Sequence, residues 1–280
     1  MGENPLQVGD LPGTLSQPVG YSTETFKFLM PPNRVELSQD TLLAALGDSW
    51  SPADVSAAAE LLSGGEGQFP SGIRSLPADL VSAVQRERVL AAMLRATAEL
   101  SYREVSVQDV LQRAGVSRPT FYEHFENKED CFLVAFDSAA ARLRERLDAA
   151  GEDAEGWRGR LRLALEELLR FVAEEPDAAM SLIVDARAAC PAVLRRRDEL
   201  LDHFAGCIDT QVRAEASGDA APSAIAAAGI VGGIENLLYS RLNRGETDGL
   251  ESLLAPLMYF AVLPYEGHEA ASEELAAAVR

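Results

Sequence analysis

Cysteine and histidine are scarce in this chain, three of each in 280 residues. Cys131, Cys190 and Cys207 stand at unrelated spacings, and no CxxC pair occurs. A disulfide framework and a zinc site are therefore excluded as organising devices, and buried free thiols are expected. His124, His203 and His268 are equally scattered, so no nucleophile–base pair or metal set suggests an enzyme, and no cofactor is called for. No apolar run reaches the ~18 residues of a membrane span. The opening MGENPLQVGDLPG has neither a basic region nor an apolar block, so a cytoplasmic protein with no membrane partner is expected. Period-two alternation and fixed-length repeats are missing too, which removes sheet folds and solenoids. The GGEG at Gly64–Gly67 lacks a following Lys-Ser or Lys-Thr and reads as a loop rather than a phosphate cradle.

Positive charge is also in short supply, the formal net charge being −19. The deficit is uneven. Between Phe69 and Cys131 eight basic residues face nine acidic ones, and the remainder of the chain holds 17 against 35. One stretch is therefore locally near neutral, and nucleic-acid binding is not excluded there.

What the chain has in abundance is helical punctuation. Residues 1–32, rich in Pro, Gly, Ser and Thr, read as an irregular N-terminal arm. Residues 33–68 hold two short capped helices, LSQDTLLAALG and SPADVSAAAELLSGG, a hairpin extension without an assigned role. From Pro77 helix follows helix. Leu80–Leu100 carries Val89, Leu90, Met93, Leu94 and Thr97 at i, i+3, i+4 spacing. Ser106 and Asp109 form a capping box for a second helix, Gly115 supplies a tight turn, and Ser117 caps a third with Pro119 in its first turn. Val116, Phe121 and Phe125 face inward. A fourth helix runs from about Asn127 to Ala149, and the spacing predicts further helices near 157–174, 177–189, 192–216, 223–243 and 247–263.

A short helix, a glycine turn and a second helix opened by polar residues form a helix-turn-helix. Residues 85–136, through QRERVL at 85–90, SVQDVLQRAGVSRPTFYEHFENKED at 106–130 and the long helix beyond, resemble the DNA-binding region of TetR-family transcriptional regulators. The resemblance implies an all-α fold: a three-helix reading domain at 69–130, then an effector-binding and dimerisation domain at 131–280. It also implies residue roles. Ser117 caps the recognition helix and Arg118, at its tip, meets a base edge. Thr120, Tyr122 and His124 touch phosphate or flanking bases, Lys128 pairs with the backbone, and Ser106 or Gln108 reaches phosphate. Pro119 stands where many relatives have Gly, which stiffens the first turn and puts close backbone approach in doubt.

In the second half the resemblance is one of outline only. Phe171, Met180, Ile183, Val184, Phe204 and Cys207 are the candidates for an effector chamber, with Asp185, Arg187 and His203 as polar orienting groups. Gly229, Gly232 and Gly233 would let two helices approach closely, and Leu254 and Met258 lie on a final helix apolar over more than one stripe; these mark the dimer interface. The expected protein is a homodimeric repressor of a double-stranded, palindromic DNA operator, released by a small-molecule effector of unknown identity. The alternative is a helical sensor or protein-interaction module whose helix-turn-helix no longer binds DNA.

Overall fold

A computed structural model describes residues 78–151, 154–215 and 224–277, and these are helical almost throughout, with no strand among them. The arm expected at 1–32 and the hairpin at 33–68 lie outside the described residues. The first helix, α1 (Ala78–Leu100), buries Leu80, Val84, Val89, Leu90, Met93 and Ala96. Against it sit α2 (Val107–Ala114) and α3 (Arg118–His124), then α4 (Lys128–Gly151). Phe121, Phe132 and Phe136 are fully enclosed, and burying three such rings contributes roughly 2–3 kcal/mol each to holding the small helices in place.

α4 belongs to both halves. Its first turn closes the reading head, and its later turns pack along α5 (Gly156–Glu174). Arginines tie the two: Arg142 to Glu175 at 3.0 Å, and Arg146 to Glu167, Glu174 and Glu175 at 2.5, 2.7 and 3.3 Å. The chain then makes a broken helix. α6 (Pro176–Ala179) passes into a wider π-helical turn, Met180–Val184, and a 3₁₀ turn, Asp185–Arg187. α7 (Pro191–Glu215), α8 (Ala224–Leu242) and α9 (Leu254–Ala277) complete the body. One continuous apolar cluster runs from Val89 to Ala271, so no solvent-filled seam divides reading head from body.

The last helix outruns its expected end near residue 263. Pro264 lies within it, and Gly267 breaks it with φ 80° and ψ −175° before the chain resumes to Ala277. Ion pairs hold the resumed part down. Glu274, only 4% exposed, takes both Arg158 and Arg162 of α5, and Glu266 accepts from Trp157 Nε1 at 2.8 Å and Arg158 at 3.2 Å. Tertiary pairing thus continues a helix that local signals would stop. No helix among the described residues is long and apolar enough to cross a membrane, and no group of His, Cys, Asp and Glu among them is placed to hold a metal ion.

Candidate functional site

The reading head is assembled by caps. Ser106 starts α2: its Oγ accepts the Asp109 amide at 3.3 Å and donates to the Asp109 carboxylate at 2.5 Å, while its own amide donates to that carboxylate at 2.9 Å. These bonds hold the Asp109 carboxyl below its ordinary range. Phosphate oxygens only accept, so a hydroxyl that has given its proton to Asp109 has none to offer. Of the two residues expected to reach phosphate from α2, Ser106 thus has its hydroxyl proton committed to Asp109 in this structure.

Gly115 ends α2 in the left-handed region, φ 64° and ψ 31°, and its amide bonds the Leu111 carbonyl at 2.9 Å. A Cβ there would also meet the Arg88 guanidinium at 2.8 Å, because that side chain crosses over the turn. Ser117 then caps α3. Its Oγ accepts the Thr120 amide at 3.3 Å and shares a 2.8 Å bond with the Thr120 hydroxyl, so one of the two hydroxyl protons still points outward.

The structure brings Gln108, Ser117, Arg118, Pro119 and Tyr122 to the surface together, with Thr120 half-exposed beside them. Arg118 stands at the helix tip and touches the Gln108 side-chain oxygen at 3.4 Å. Tyr122 is 48% exposed, its ring resting edge-on against Phe121. A donor-rich tip and an outward phenol on one short capped helix can hydrogen-bond base edges and phosphates together.

His124 and Lys128 are turned elsewhere. His124 packs on Phe125, half-enclosed, with its Nε2 buried and unpartnered, and burial lowers its pKa from the ordinary histidine value. Lys128 commits two N–H bonds to main-chain carbonyls, Tyr102 at 3.0 Å and Val105 at 2.8 Å, and lies 4.5 Å from the Tyr102 ring centroid. Its first duty is to hold the α1–α2 loop.

In the body a cavity of about 420 Å³ lies between α4, α5, α6, α7 and α8. Its wall follows α5 from Arg160 to Val172, a run of about 18 Å at 1.5 Å per residue. Leucine dominates the lining, through Leu143, Leu147, Leu161, Leu165, Leu168 and Leu238 among others. Polar groups are few: Asp148, Arg160 and Gln211 in one part, Arg197 and Glu235 in another. Glu235 is gripped by two guanidiniums, Arg197 at 2.9 Å and Arg187, whose own plane lies 3.9 Å from the Tyr239 ring.

Of the residues expected in a chamber, Phe171, Ile183, Phe204 and Cys207 line this cavity, whereas Met180 and Val184 do not. In the π-helical turn the inward face carries Leu182 and Ile183, following Ala179 at the end of α6, and Met180 and Val184 pack against the core beside it. None of Asp185, Arg187 and His203 lines it either; His203 lies 3.8 Å from the Cys207 sulfur, whose pKa burial raises.

On α8, Gly229 and Gly232 are exposed and a Cβ on either would meet nothing. Gly233 is different: the Phe260 ring covers it, within 2.9 Å of where a Cβ would stand. Leu254 is half-buried against the core, and Met258 is wholly buried and has no surface to offer a second copy. The outward stripe of α9 is Pro256, Phe260, Leu263 and Gly267, and Met258 falls on the opposite side of the helix. Sequence reasoning missed Ile225, 81% exposed, and Leu237 on the adjoining face of α8.

A capped helix-turn-helix is thus joined to a helical body that encloses a largely apolar cavity. Residues 89–135 match the family model of bacterial regulatory proteins of the tetR family. The fold is shared with the fatty acid degradation regulator FadR of Bacillus halodurans (18% identity, 65% of this chain and 95% of that one, TM-score 0.58). It is shared also with a TetR-like transcriptional regulator of Rhodococcus sp. RHA1 (23%, 67% and 97%, TM-score 0.56). A third is Bacillus subtilis FadR, solved in complex with stearoyl-CoA (19%, 65% and 98%, TM-score 0.57). The family match is thus confined to the helix-turn-helix and the start of α4, and what the chain shares with these regulators over the body is the fold.

Proposed function

We propose that this protein is a homodimeric repressor that seats α3 of each copy in successive major-groove half-sites of a near-palindromic operator and leaves it when an apolar effector fills the cavity. The observation that carries the reading is the joint exposure of Arg118, Gln108, Ser117 and Tyr122 around the start of a capped helix, in a stretch of this acidic chain with near-neutral charge. Arg118 is the base-reading residue; Ser117, Thr120 and Tyr122 hold phosphate. Exposed Ile225, Leu237, Phe260 and Leu263, flanked by bare Gly229 and Gly232, support pairing of two copies through α8 and α9.

The effector is aliphatic in its larger part. Leucine walls with charge confined to two places suit an acyl chain better than a sugar or a nucleotide. The stearoyl-CoA held by the B. subtilis FadR is of that class.

Titrating genomic fragments at rising salt is the test. Tight retention of particular intergenic fragments, lost steeply as counterions compete, is expected. Equal weak retention of all fragments, or none, would overturn the repressor and favour a sensor that no longer reads DNA. Palmitate and palmitoyl-coenzyme A, added separately, show whether free acid or thioester releases the fragment.

A further inference from the structure

We propose that the π-helical turn Met180–Val184 is the switch through which the cavity acts on the reading head, and that two hydrogen bonds, Ser181 with Thr97 and Asp185 with Tyr102, are its latches. The proposal rests on reading the cavity as the effector site.

The turn has two working faces. Leu182 and Ile183 line the cavity, together with Ala179 just before them. Ser181 and, four residues on, Asp185 face the other way, toward α1 and the α1–α2 loop. Ser181 and Thr97 are 0% and 1% exposed, their oxygens 3.0 Å apart. The Thr97 hydroxyl donates back to the Leu94 and Met93 carbonyls at 2.9 and 3.1 Å, so the proton between the two hydroxyls comes from Ser181. Asp185, 4% exposed, accepts the Tyr102 amide at 3.1 Å on one oxygen, and its other oxygen is buried without a partner.

From Tyr102 the path continues in two steps. Its carbonyl receives Lys128, the first residue of α4, and Lys128 also holds Val105, which immediately precedes the Ser106 cap of α2. Both ends of the helix-turn-helix therefore hang on the loop that Asp185 grips.

The turn itself is poised between two registers. The Asp185 amide is shared between the Met180 carbonyl, five residues back, and the Ser181 carbonyl, four back. The first bond belongs to a π-turn and the second to an ordinary helix. A π-turn holds one more residue than an α-turn and is the less stable of the two. Passing from one to the other rotates the following residues by about 100°, since 3.6 residues complete a turn. Pressure on Leu182 and Ile183 from an occupied cavity favours one register, and the rotation withdraws Ser181 and Asp185 from their partners. Such a two-register element, biased from one side and read from the other, is what energetic coupling between two sites requires.

The test needs neither DNA nor effector. Ala164, on the α5 wall of the cavity, is changed to Phe as a built-in occupant, and amide hydrogen exchange is followed at Tyr102–Val105 in the full chain. Ala164→Phe is expected to speed exchange there about tenfold, the scale of one lost buried hydrogen bond. With both latches removed, Ser181→Ala and Asp185→Ala, exchange is already fast and Ala164→Phe adds nothing. Unchanged exchange in Ala164→Phe, or an equal acceleration whether or not the latches are present, would overturn the proposal. Should the Asp185→Ala chain not fold, Ser181→Ala alone gives the same comparison at the last turn of α1. Operator binding is read separately by the salt titration, so a failed repressor and a failed switch give different results.

Discussion

Lys128 and Tyr102 are joined twice: the lysine ammonium donates to the tyrosine carbonyl at 3.0 Å and lies 4.5 Å from the centroid of its ring. Replacing Lys128 with Met leaves the Tyr102 and Val105 carbonyls without that donor. A loss of ~1–3 kcal/mol in urea unfolding is expected, with the salt slope of DNA binding unchanged. A slope reduced by about one, at unaltered stability, would return Lys128 to the phosphate contacts.

Arg118→Ala is expected to weaken binding to a retained fragment by ~1–3 kcal/mol and to blur preference at one position of each half-site. Random DNA should be bound nearly as before. Competition titrations with single-base variants of the fragment measure this. Equal loss on specific and random DNA would make Arg118 a backbone contact only.

Asp185 sets a pH dependence. Burial raises its carboxyl from 3.8 to about 7, opposed by the bond from the Tyr102 amide. Among the described residues no other charged group contributes to the shift, and the second carboxyl oxygen is buried without a partner. The folded chain keeps its Asp185 proton where the unfolded chain has lost it. Stability from this group is therefore full below about pH 4 and drains away as pH rises through 7, by an upper bound of ~4 kcal/mol. Asp185→Asn should flatten that part of the unfolding profile between pH 4 and 7. A profile unchanged by the substitution would show that Asp185 ionises normally.

Ile225→Glu and Phe260→Glu should yield folded monomers in sedimentation at micromolar protein, because each places a charge on the exposed apolar face of α8 and α9. Met258→Ala, at a wholly buried position, should instead lower stability by ~2–5 kcal/mol with association unaltered. The reverse pattern would mean that α9 is turned about its axis.

Gly115→Ala forces a side chain into the left-handed region and against Arg88. A loss of ~1–2 kcal/mol in thermal or urea unfolding is expected, with operator affinity falling in step. No loss would mean that the turn has another accessible shape.

The reading head was legible because its signals are local. Ser106, Gly115 and Ser117 announce their caps by residue type and spacing, and Phe121 within α3 and Phe125 just past its end fall on the enclosed side. Locality also sets the limit: Asp109 was legible as the partner of Ser106 from its spacing, but nothing near His124 in the sequence reveals that its ring nitrogen is enclosed. The body is harder because a leucine at helical spacing looks alike whether it meets another leucine or an empty chamber; Leu161 and Leu165 line the cavity, and Leu169 on the same helix does not. Asp185 was legible as a polar group but not as a latch, since its partner lies 83 residues away.

Thr97 and Ser181 face each other in a place sealed from water, and that imposes a rule on how the chain can change. Converting either hydroxyl alone to a hydrocarbon strands its neighbour, whereas converting both together to residues of matching volume removes the need for the bond altogether. Lineages should therefore keep the two alcohols or surrender them as a pair, and one that surrenders them would hold its reading head by shape alone, indifferent to what fills the chamber beneath.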